Sequence, residues 1–223
     1  MQENESAWLA QARQGDGNAF TQLVETYQKP VYNLCYRMMG NAEDAEDAAQ
    51  ETFLRAYKGM RRYDPNRPFS TWLLSIAAHY CIDQIRKRRM VVVGIEDLPI
   101  PDLPDHTPGP ESLTSQNEEQ ARIRELLDTL EETDRAAVVM YYWYEFSYAE
   151  ISAALGLTQS ALKSRLHRAR RAMAETWLAR QRAAAPPAGA SPAGALQAGR
   201  ADGKLNGRVV GTPERRSHGT PVV

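Results

Sequence analysis

The sequence predicts an all-α protein with two small helical domains, an extended acidic linker between them and a disordered C-terminal tail. Three observations lead to this fold class. Apolar residues recur three and four positions apart in long segments before residue 90 and after residue 116, which is the spacing of amphipathic helices. Five prolines fall between residues 99 and 110 among acidic side chains, a composition typical of an extended linker. After Arg182 the chain is rich in Ala, Pro and Gly, and it lacks the apolar surface that would offset the entropy of ordering.

We therefore place the first domain at residues 6–90, the linker at 91–115, the second domain at 116–182 and the tail at 183–223. The 223 residues are 43% hydrophobic and carry a formal net charge of −1. This balance hides a segregation of charge, since acids crowd at residues 43–51 and 96–119 and bases at 86–89 and 163–171. Local charge is therefore more informative than net charge.

Composition also limits the function classes. The two cysteines, Cys35 and Cys81, lie in apolar helical patterns, which favours a reducing cytosol and offers too few thiols for a structural zinc site. The N-terminus has no apolar signal region, and no run approaches the length of a membrane span. We expect a soluble cytoplasmic protein without membrane insertion, cofactor, metal or small-molecule substrate.

The first domain begins with a helical pattern over residues 6–40. Gly15 and Gly17 break it, and Pro30 stands where a further helix could begin. Asn41 is expected to cap a helix over residues 42–60 whose buried stripe contains Ala45, Ala49, Thr52, Phe53, Ala56 and Met60. Acids in its first turn are stabilised by the helix dipole. This effect is weak beyond the first turn, so it does not explain Asp47, Gln50 and Glu51.

An arginine-rich loop with two prolines follows at residues 61–68, and a helix is predicted over residues 69–89. This helix ends in four consecutive bases, Arg86, Lys87, Arg88 and Arg89, which exceeds what capping requires. A basic helix end beside a loop with Tyr63, Phe69 and Trp72 could hold phosphates while rings stack on exposed bases. For Trp72, a position in the hydrophobic core is an equal alternative.

In the second domain, helical patterns cover residues 116–130 and 136–143 around a break at 131–133. Ser147 and Glu150 then form a capping box, and Gly156 is placed to end the short helix that follows. Thr158 can cap a second helix with a buried stripe of Leu162, Leu166, Ala169 and Met173. These two helices and their glycine turn predict a helix-turn-helix.

The opposite face of the second helix is polar or basic, and no acid occurs between Lys163 and Glu175. A merely solvated helix face usually mixes the two signs. The exposed residues are expected to be Gln159, Ser160, Lys163, Ser164, His167, Arg168, Arg170 and Arg171. This pattern favours insertion into a DNA major groove, although an ordinary helical hairpin with a solvated face remains the alternative.

Several motifs in order resemble the extracytoplasmic-function (ECF) sigma factors of bacteria, members of the sigma-70 family. They are AEDAAQETF at residues 45–53, FSTWL at 69–73 with Asp83 and the bases at 86–89, LGL at 155–157, and KSRLHRAR at 163–170. The resemblance covers roughly residues 6–182 and omits the tail. It implies a first domain that binds the polymerase clamp and the promoter −10 element, and a second domain that reads the −35 element.

The resemblance also implies site residues and partners. Asp47, Gln50 and Glu51 match the face that binds the β′ clamp helices of core RNA polymerase, and the second domain would meet the β flap. The loop and helix that capture a flipped base and hold nearby backbone correspond to Tyr63, Asp64, Asn66, Arg67, Phe69, Trp72, His79, Arg86, Arg88 and Arg89. The −35 element would meet Gln159, Ser160, Lys163, Ser164, His167 and Arg168. An anti-sigma factor is the further partner that the family implies.

Two departures from the family pattern bear on these expectations. His79 stands where the family usually has Asn, which concerns base preference at the −10 element. Glu131 stands where a proline is usual, and we expect it to shift only the start of a helix.

Two other function classes are alternatives. A conventional helix-turn-helix regulator would bind an operator as a dimer without core polymerase. A nucleic-acid enzyme is disfavoured because the sequence shows no metal-ligand cluster or nucleophile arrangement.

Overall fold

A computed structural model describes residues 2–95 and 115–184, and no strand occurs in these two segments. The first segment contains four α-helices, with a 3-10 turn at Met60–Arg62 between the last two: α1 Gln2–Arg13, α2 Gly17–Met39, α3 Ala42–Gly59 and α4 Phe69–Ile95. The second contains α5 Ser115–Asp128, α6 Glu132–Trp143, α7 Tyr148–Leu155 and α8 Gln159–Ala184. The predicted all-α class is confirmed.

Helices α2, α3 and α4 pack around one apolar core. Leu23, Leu34 and Met38 from α2 meet Leu73 and Leu74 from α4, and all five side chains are at most 1% exposed. The two free cysteines also belong to this core, one on α2 and one on α4. A hydrogen bond with Cys35, together with burial, raises the pKa of the Cys81 thiol. Both thiols are buried, and the Cys81 thiol therefore stays protonated at neutral pH.

The prediction that a helix begins at Pro30 is wrong. Pro30 lies inside α2, which runs without a break from Gly17 to Met39. A proline inside a helix removes one backbone hydrogen bond and crowds the preceding turn. Burial on both sides of it, by Leu23 and by Val31 at 1% and 0% exposure, keeps the two halves in line. Tertiary packing here outweighs the local preference.

The prediction for α3 is confirmed. The Asn41 side chain accepts a hydrogen bond from the Asp44 amide at 2.9 Å, which satisfies one amide that the first turn leaves without a partner. Ala45, Ala49, Thr52 and Ala56 are buried. Small side chains on this stripe let α3 lie close against α2, with its outer face free for other contacts.

The helix predicted over residues 69–89 continues six residues farther, to Ile95. The extension takes in residues 91–95 of the predicted linker. The physical reason lies in the sequence, because no proline follows Arg89 until Pro99 and no turn signal precedes Gly94. The rest of the predicted linker, residues 96–114, and the predicted tail from residue 185 lie outside the described residues.

The second group of helices has its own buried contacts. Leu127 of α5, Met140 of α6, Ile151 of α7, and Leu162 and Leu166 of α8 are at most 1% exposed. Helix α6 begins at Glu132, four residues before the predicted start at residue 136. Acidic side chains at Glu132 and Asp134 favour the positive end of the α6 dipole, and this allows the earlier start.

The two groups of helices also contact each other, which the sequence did not predict. The Arg135 guanidinium donates to the Met38 carbonyl at 2.7 Å, and the Tyr144 hydroxyl donates to the Pro30 carbonyl at 2.5 Å. Burial raises the pKa of Tyr144, so this hydroxyl stays a donor at neutral pH. Within the described residues, no helix is long and apolar enough to span a membrane.

Candidate nucleic-acid and partner interfaces

The predicted helix-turn-helix is formed by α7 and α8. The Ser147 hydroxyl accepts from the Glu150 amide at 3.2 Å, and the Glu150 carboxylate accepts from the Ser147 amide at 2.8 Å. Both halves of the capping box are present, and the hydrogen bonds that the Ser147 hydroxyl and amide donate to the Glu150 carboxylate lower the pKa of Glu150. Gly156 ends α7 with a φ of 65°, a backbone conformation that costs glycine little. The predicted capping box and glycine turn are confirmed.

The predicted apolar stripe of helix α8 packs into the hydrophobic core. Thr158 accepts from the Ala161 amide at 3.2 Å, and Leu162, Leu166 and Ala169 are at most 2% exposed. The six predicted DNA contacts all have exposed side chains: Gln159, Ser160, Lys163, Ser164, His167 and Arg168. The structure therefore presents one continuous polar and basic surface of α8, which we call the α8 face.

Three other bases of α8 make contacts within the protein. Arg165 is half-buried and pairs with Asp134 at 2.7 Å, while Arg171 pairs with Glu175 at 2.8 Å. Hydrogen bonding with Tyr142 raises the pKa of Arg170. Arg165 thus ties α8 to α6. Of the four arginines in the basic run that indicated DNA binding, only Arg168 lacks such a partner within the described residues.

In the first group of helices, the outer surface of α3 carries the predicted polar residues. Asp47 and Gln50 are exposed, and the half-buried Glu51 pairs with Arg55 at 2.8 Å. Leu54 follows Asp47 by seven positions, so both lie on the same side of the helix, and its side chain is 53% exposed. We call these four residues the α3 face. Sequence reasoning missed Leu54, although an apolar residue at this register was a visible signal.

An apolar depression borders the α3 face. It lies between α2 and α3 and has a volume of about 540 Å³. Its lining includes Val24, Tyr32, Ala49, Gln50 and Phe53. An apolar hollow beside exposed acids is a surface suited to another protein, because anchors that enter pockets provide most of the energy in such interfaces.

The loop before α4 rests on a cluster of aromatic rings. Tyr63 and Phe69 are both 3% exposed, and their ring centroids lie 5.0 Å and 5.6 Å from that of Trp72. The Tyr63 hydroxyl donates to the Arg67 carbonyl at 2.5 Å, which fixes the shape of the loop. Tyr63 and Phe69 therefore offer no open ring face in this arrangement, whereas Trp72 is half-buried.

The tip of the loop is polar and exposed. Asp64, Asn66 and Arg67 all have exposed side chains, and Asp64 accepts hydrogen bonds from the amide and the side chain of Asn66 at 3.0 Å each. His79 is exposed on α4, and its Nδ1 lies 2.8 Å from the Ser75 carbonyl. Its other ring nitrogen forms no hydrogen bond within the described residues.

Comparison with models of protein families identifies the family to which a chain with these surfaces belongs. The model of sigma-70 region 2 matches residues 23–90, and the model of sigma-70 region 4 matches residues 120–173. The ECF RNA polymerase sigma factor SigW of Bacillus subtilis is 37% identical over 172 residues, covering 74% of this chain and 92% of that protein. This chain belongs to the ECF group of the sigma-70 family. It is a sigma factor that directs transcription initiation.

Other relatives agree with this assignment. The ECF sigma factor SigE of Mycolicibacterium smegmatis is 36% identical, and the match covers 68% of this chain and 59% of that protein. A solved structure of CnrH in complex with the cytosolic domain of CnrY has a TM-score of 0.59 and 26% identity, covering 79% of this chain and 98% of that one. The sigma factor RpoE of Bartonella quintana, solved with the anti-sigma factor NepR, shares the fold with a TM-score of 0.56.

The matches bear on the alternatives. A conventional helix-turn-helix regulator is not favoured, because region 2 is matched as well as region 4. Sigma-70 family members are initiation factors without catalytic activity of their own.

The basic end of α4 in this sigma factor is held by contacts within the chain. Arg88 forms a bidentate pair with Asp44 of α3, and this hydrogen bonding raises the pKa of Arg88. Arg86 donates to the Thr133 hydroxyl at 3.1 Å, and Arg89 pairs with Glu132 at 3.1 Å. Two of the three predicted phosphate contacts are therefore engaged by the first turn of α6.

Proposed function

We propose that this sigma factor divides promoter recognition among three surfaces. The α3 face binds core RNA polymerase, the polar loop tip with α4 binds the −10 element, and the α8 face reads the −35 element. The domain limits that we propose are 6–90 for region 2, 91–115 for the linker, 116–182 for region 4 and 183–223 for the tail, with α4 and α5 extending into the two ends of the linker. The main observation behind this proposal is that all six predicted residues on the α8 face are exposed. The neighbouring Arg165, in contrast, turns inward and pairs with Asp134.

The α3 face supports polymerase binding because three of its four residues, Asp47, Gln50 and Leu54, are exposed on the outer side of α3. Asp47 and Gln50 are exposed in the helix interior, beyond the first turn where the dipole rewards acids. Leu54 adds exposed apolar area, and the adjoining depression accepts side chains from a partner. The family resemblance points to the β′ clamp helices as that partner, and a second contact of region 4 with the β flap belongs to the same proposal.

The loop before α4 supports capture of the −10 element. Its buried rings hold the backbone in place, so the polar tip with Asp64, Asn66 and Arg67 is presented in a fixed shape. A base taken out of the stack can be bound by hydrogen bonds to its edge and by contact with an aromatic side chain. Trapping that base lowers the free energy of the melted promoter, so opening needs no ATP. Trp72 and His79 border this surface, while Tyr63 and Phe69 support it from beneath.

The α8 face supports reading of the −35 element. Lys163, His167 and Arg168 lie along one exposed side of a helix that is wide enough to fill the major groove. Gln159, Ser160 and Ser164 add short polar side chains near the helix N-terminus, where recognition helices contact base edges.

Regulation and location follow from the same assignment. CnrH and RpoE were each solved with a partner that binds them, the cytosolic domain of CnrY and the anti-sigma factor NepR. We propose that an anti-sigma factor likewise holds this protein, which acts in the cytoplasm and has no enzymatic activity of its own.

Transcription with purified components tests the proposal. The protein and core RNA polymerase should together start transcripts at a defined site, and neither should do so alone. Tight binding of operator DNA by the protein alone, with core polymerase left inactive, would favour a conventional regulator instead.

A charge reversal tests the α3 face. Asp47→Arg should reduce co-purification with core polymerase at least about tenfold, because like charges at an interface oppose association. Glu43→Arg carries the same charge change in the exposed first turn of α3 and serves as the matched control. Circular dichroism should show both variants folded. Equal retention of core polymerase by Asp47→Arg and Glu43→Arg would remove the α3 face from the polymerase interface.

A further inference from the structure

A cavity lies between α2, α5 and α6, and none of its lining residues belongs to the α3 face or the α8 face. Its volume is about 270 Å³, just below the usual range of small-molecule sites, about 300–1,000 Å³. Ile123, Leu127 and Trp143 provide apolar walls, and the guanidinium groups of Arg37 and Arg124 also line it. None of the described residues that line the cavity is Asp or Glu. The cavity therefore combines apolar walls with an excess of positive charge.

Each of these guanidinium groups rests on an aromatic ring. That of Arg37 lies 4.9 Å from the centroid of the Trp143 ring, and that of Arg124 lies 5.0 Å from the centroid of the Tyr36 ring. Arg37 also donates to the Asn33 carbonyl at 3.0 Å, and Arg124 donates to the Tyr36 hydroxyl. A ring face attracts a cation but carries no net charge, and an arginine has five N–H donors. The rings thus hold both groups in place and leave donors for an anion.

No carboxylate within the described residues pairs with Arg37 or Arg124. Three acids of α5 pair with other arginines: Glu118 with Arg122, Glu125 with Arg180, and Asp128 with Arg135. The Nε atom of Arg124 is buried and forms no hydrogen bond within the described residues, which is unusual for a buried donor. Burial lowers the pKa of Arg37, because it disfavours the charged form. A bound anion would offset both costs.

We propose that this cavity binds a small aromatic carboxylate, of which benzoate is the simplest, with its charge balanced by Arg37 and Arg124 and its ring against Ile123 and Leu127. Arginine suits a carboxylate because its planar set of N–H donors matches the two oxygens. The apolar walls favour an acid that carries a ring, since burial of the ring removes apolar surface from water. The site does not depend on the proposed binding of polymerase or promoter DNA.

Binding is measured on the full chain with three probes. The readout is the indole N–H resonance of Trp143 in an NMR titration, assigned from its loss in Trp143→Phe. Benzoate should move this resonance with a dissociation constant of about 1 mM, an affinity expected of so small a ligand. Benzamide keeps the ring without the charge, and acetate keeps the carboxylate without the ring, so each should bind at least about tenfold more weakly.

Each probe can overturn the proposal. If benzamide binds as tightly as benzoate, the arginines are not the reason for binding, and if acetate does so, the ligand class is wrong. A Trp143 resonance that stays in place at about 10 mM benzoate would show that the cavity does not hold the acid. The resonance of Trp177, which lies on α8, should not move with any probe.

A substitution on α5 has a matched control on the same helix. Arg124→Met keeps a long apolar side chain without the charge, and it should weaken benzoate binding at least about tenfold. Arg122→Met makes the same change at an exposed position that pairs with Glu118, and it should bind benzoate like the wild type. Equal affinities of the two variants would overturn the role of Arg124. The comparison of probes uses the wild-type chain, so it decides the proposal even if Arg124→Met does not fold.

Discussion

Two arginines of α8, one helical turn apart, allow a test of which bases read DNA. Arg165 pairs with Asp134 at 2.7 Å, and the two side chains are 28% and 10% exposed. Arg168 forms no ion pair within the described residues, and its side chain is exposed. We expect Arg165→Ala to cost stability and to spare recognition, and Arg168→Ala to do the reverse.

The size of the stability loss follows from the contact. Hydrogen bonds to charged groups contribute about 1.5–3 kcal/mol, and a carboxylate left without its partner adds to the loss. Water can reach the site of Arg165 in part, so we take a loss of about 2 kcal/mol in the free energy of unfolding. Its second pair, with the 70% exposed Glu131, adds little. For a domain of 150–250 residues this lowers Tm by about 4–8 °C.

The assay measures both quantities on the same samples. Thermal unfolding is followed by circular dichroism at 222 nm, and transcription by the reconstituted holoenzyme is measured at 25 °C, where both variants remain folded. Arg165→Ala should lose Tm and keep transcription from a promoter that needs its upstream element, while Arg168→Ala should keep Tm and lose that transcription. The reasoning is refuted if Arg165→Ala keeps its Tm and transcribes as poorly as Arg168→Ala.

Three further predictions concern the cap, the core and base preference. Ser147→Ala should lower the free energy of unfolding by about 1 kcal/mol. Because hydrogen bonds from Ser147 lower the pKa of Glu150, this loss should be present at neutral pH and should shrink as the pH falls below the ordinary glutamate value of 4.5. Thermal unfolding at several pH values measures it. Leu162→Ala should cost about 3 kcal/mol, whereas Leu178→Ala at a 49% exposed position should leave the melting curve almost unchanged. His79→Asn should change which −10 sequences are used when transcripts from a randomised promoter library are sequenced, and an unchanged profile would separate His79 from base readout.

The features that the sequence predicted well depend on neighbours along the chain. Ser147 and Glu150 are three residues apart, and Gly156 needs only its own backbone freedom. The stripe of Leu162 and Leu166 follows from helix geometry. Local spacing was sufficient in these cases because each partner lies within one or two turns. The limits of α4 and α6 were less accurate, since acids and uninterrupted chain extend a helix without any apolar period.

The features that the sequence could not predict depend on distant partners. Arg135 and the Met38 carbonyl are 97 residues apart along the chain, and nothing in either neighbourhood indicates the other. Tyr63 and Phe69 show the same limit, because a ring in a proline-rich loop can support that loop or stack on a base. Only the packing against Trp72 and Tyr27 places both rings inside.

The ion pairs within the chain divide the basic residues into kinds that composition alone cannot distinguish. Arg165 pairs with the buried Asp134 of its own region, so its charge serves to hold α8 against α6. Arg168 pairs with no acid in the part of the chain that the structure describes, and its exposed charge faces solvent. Arg89 lies between these cases, because it is 63% exposed and the acid with which it pairs, Glu132, belongs to the other region.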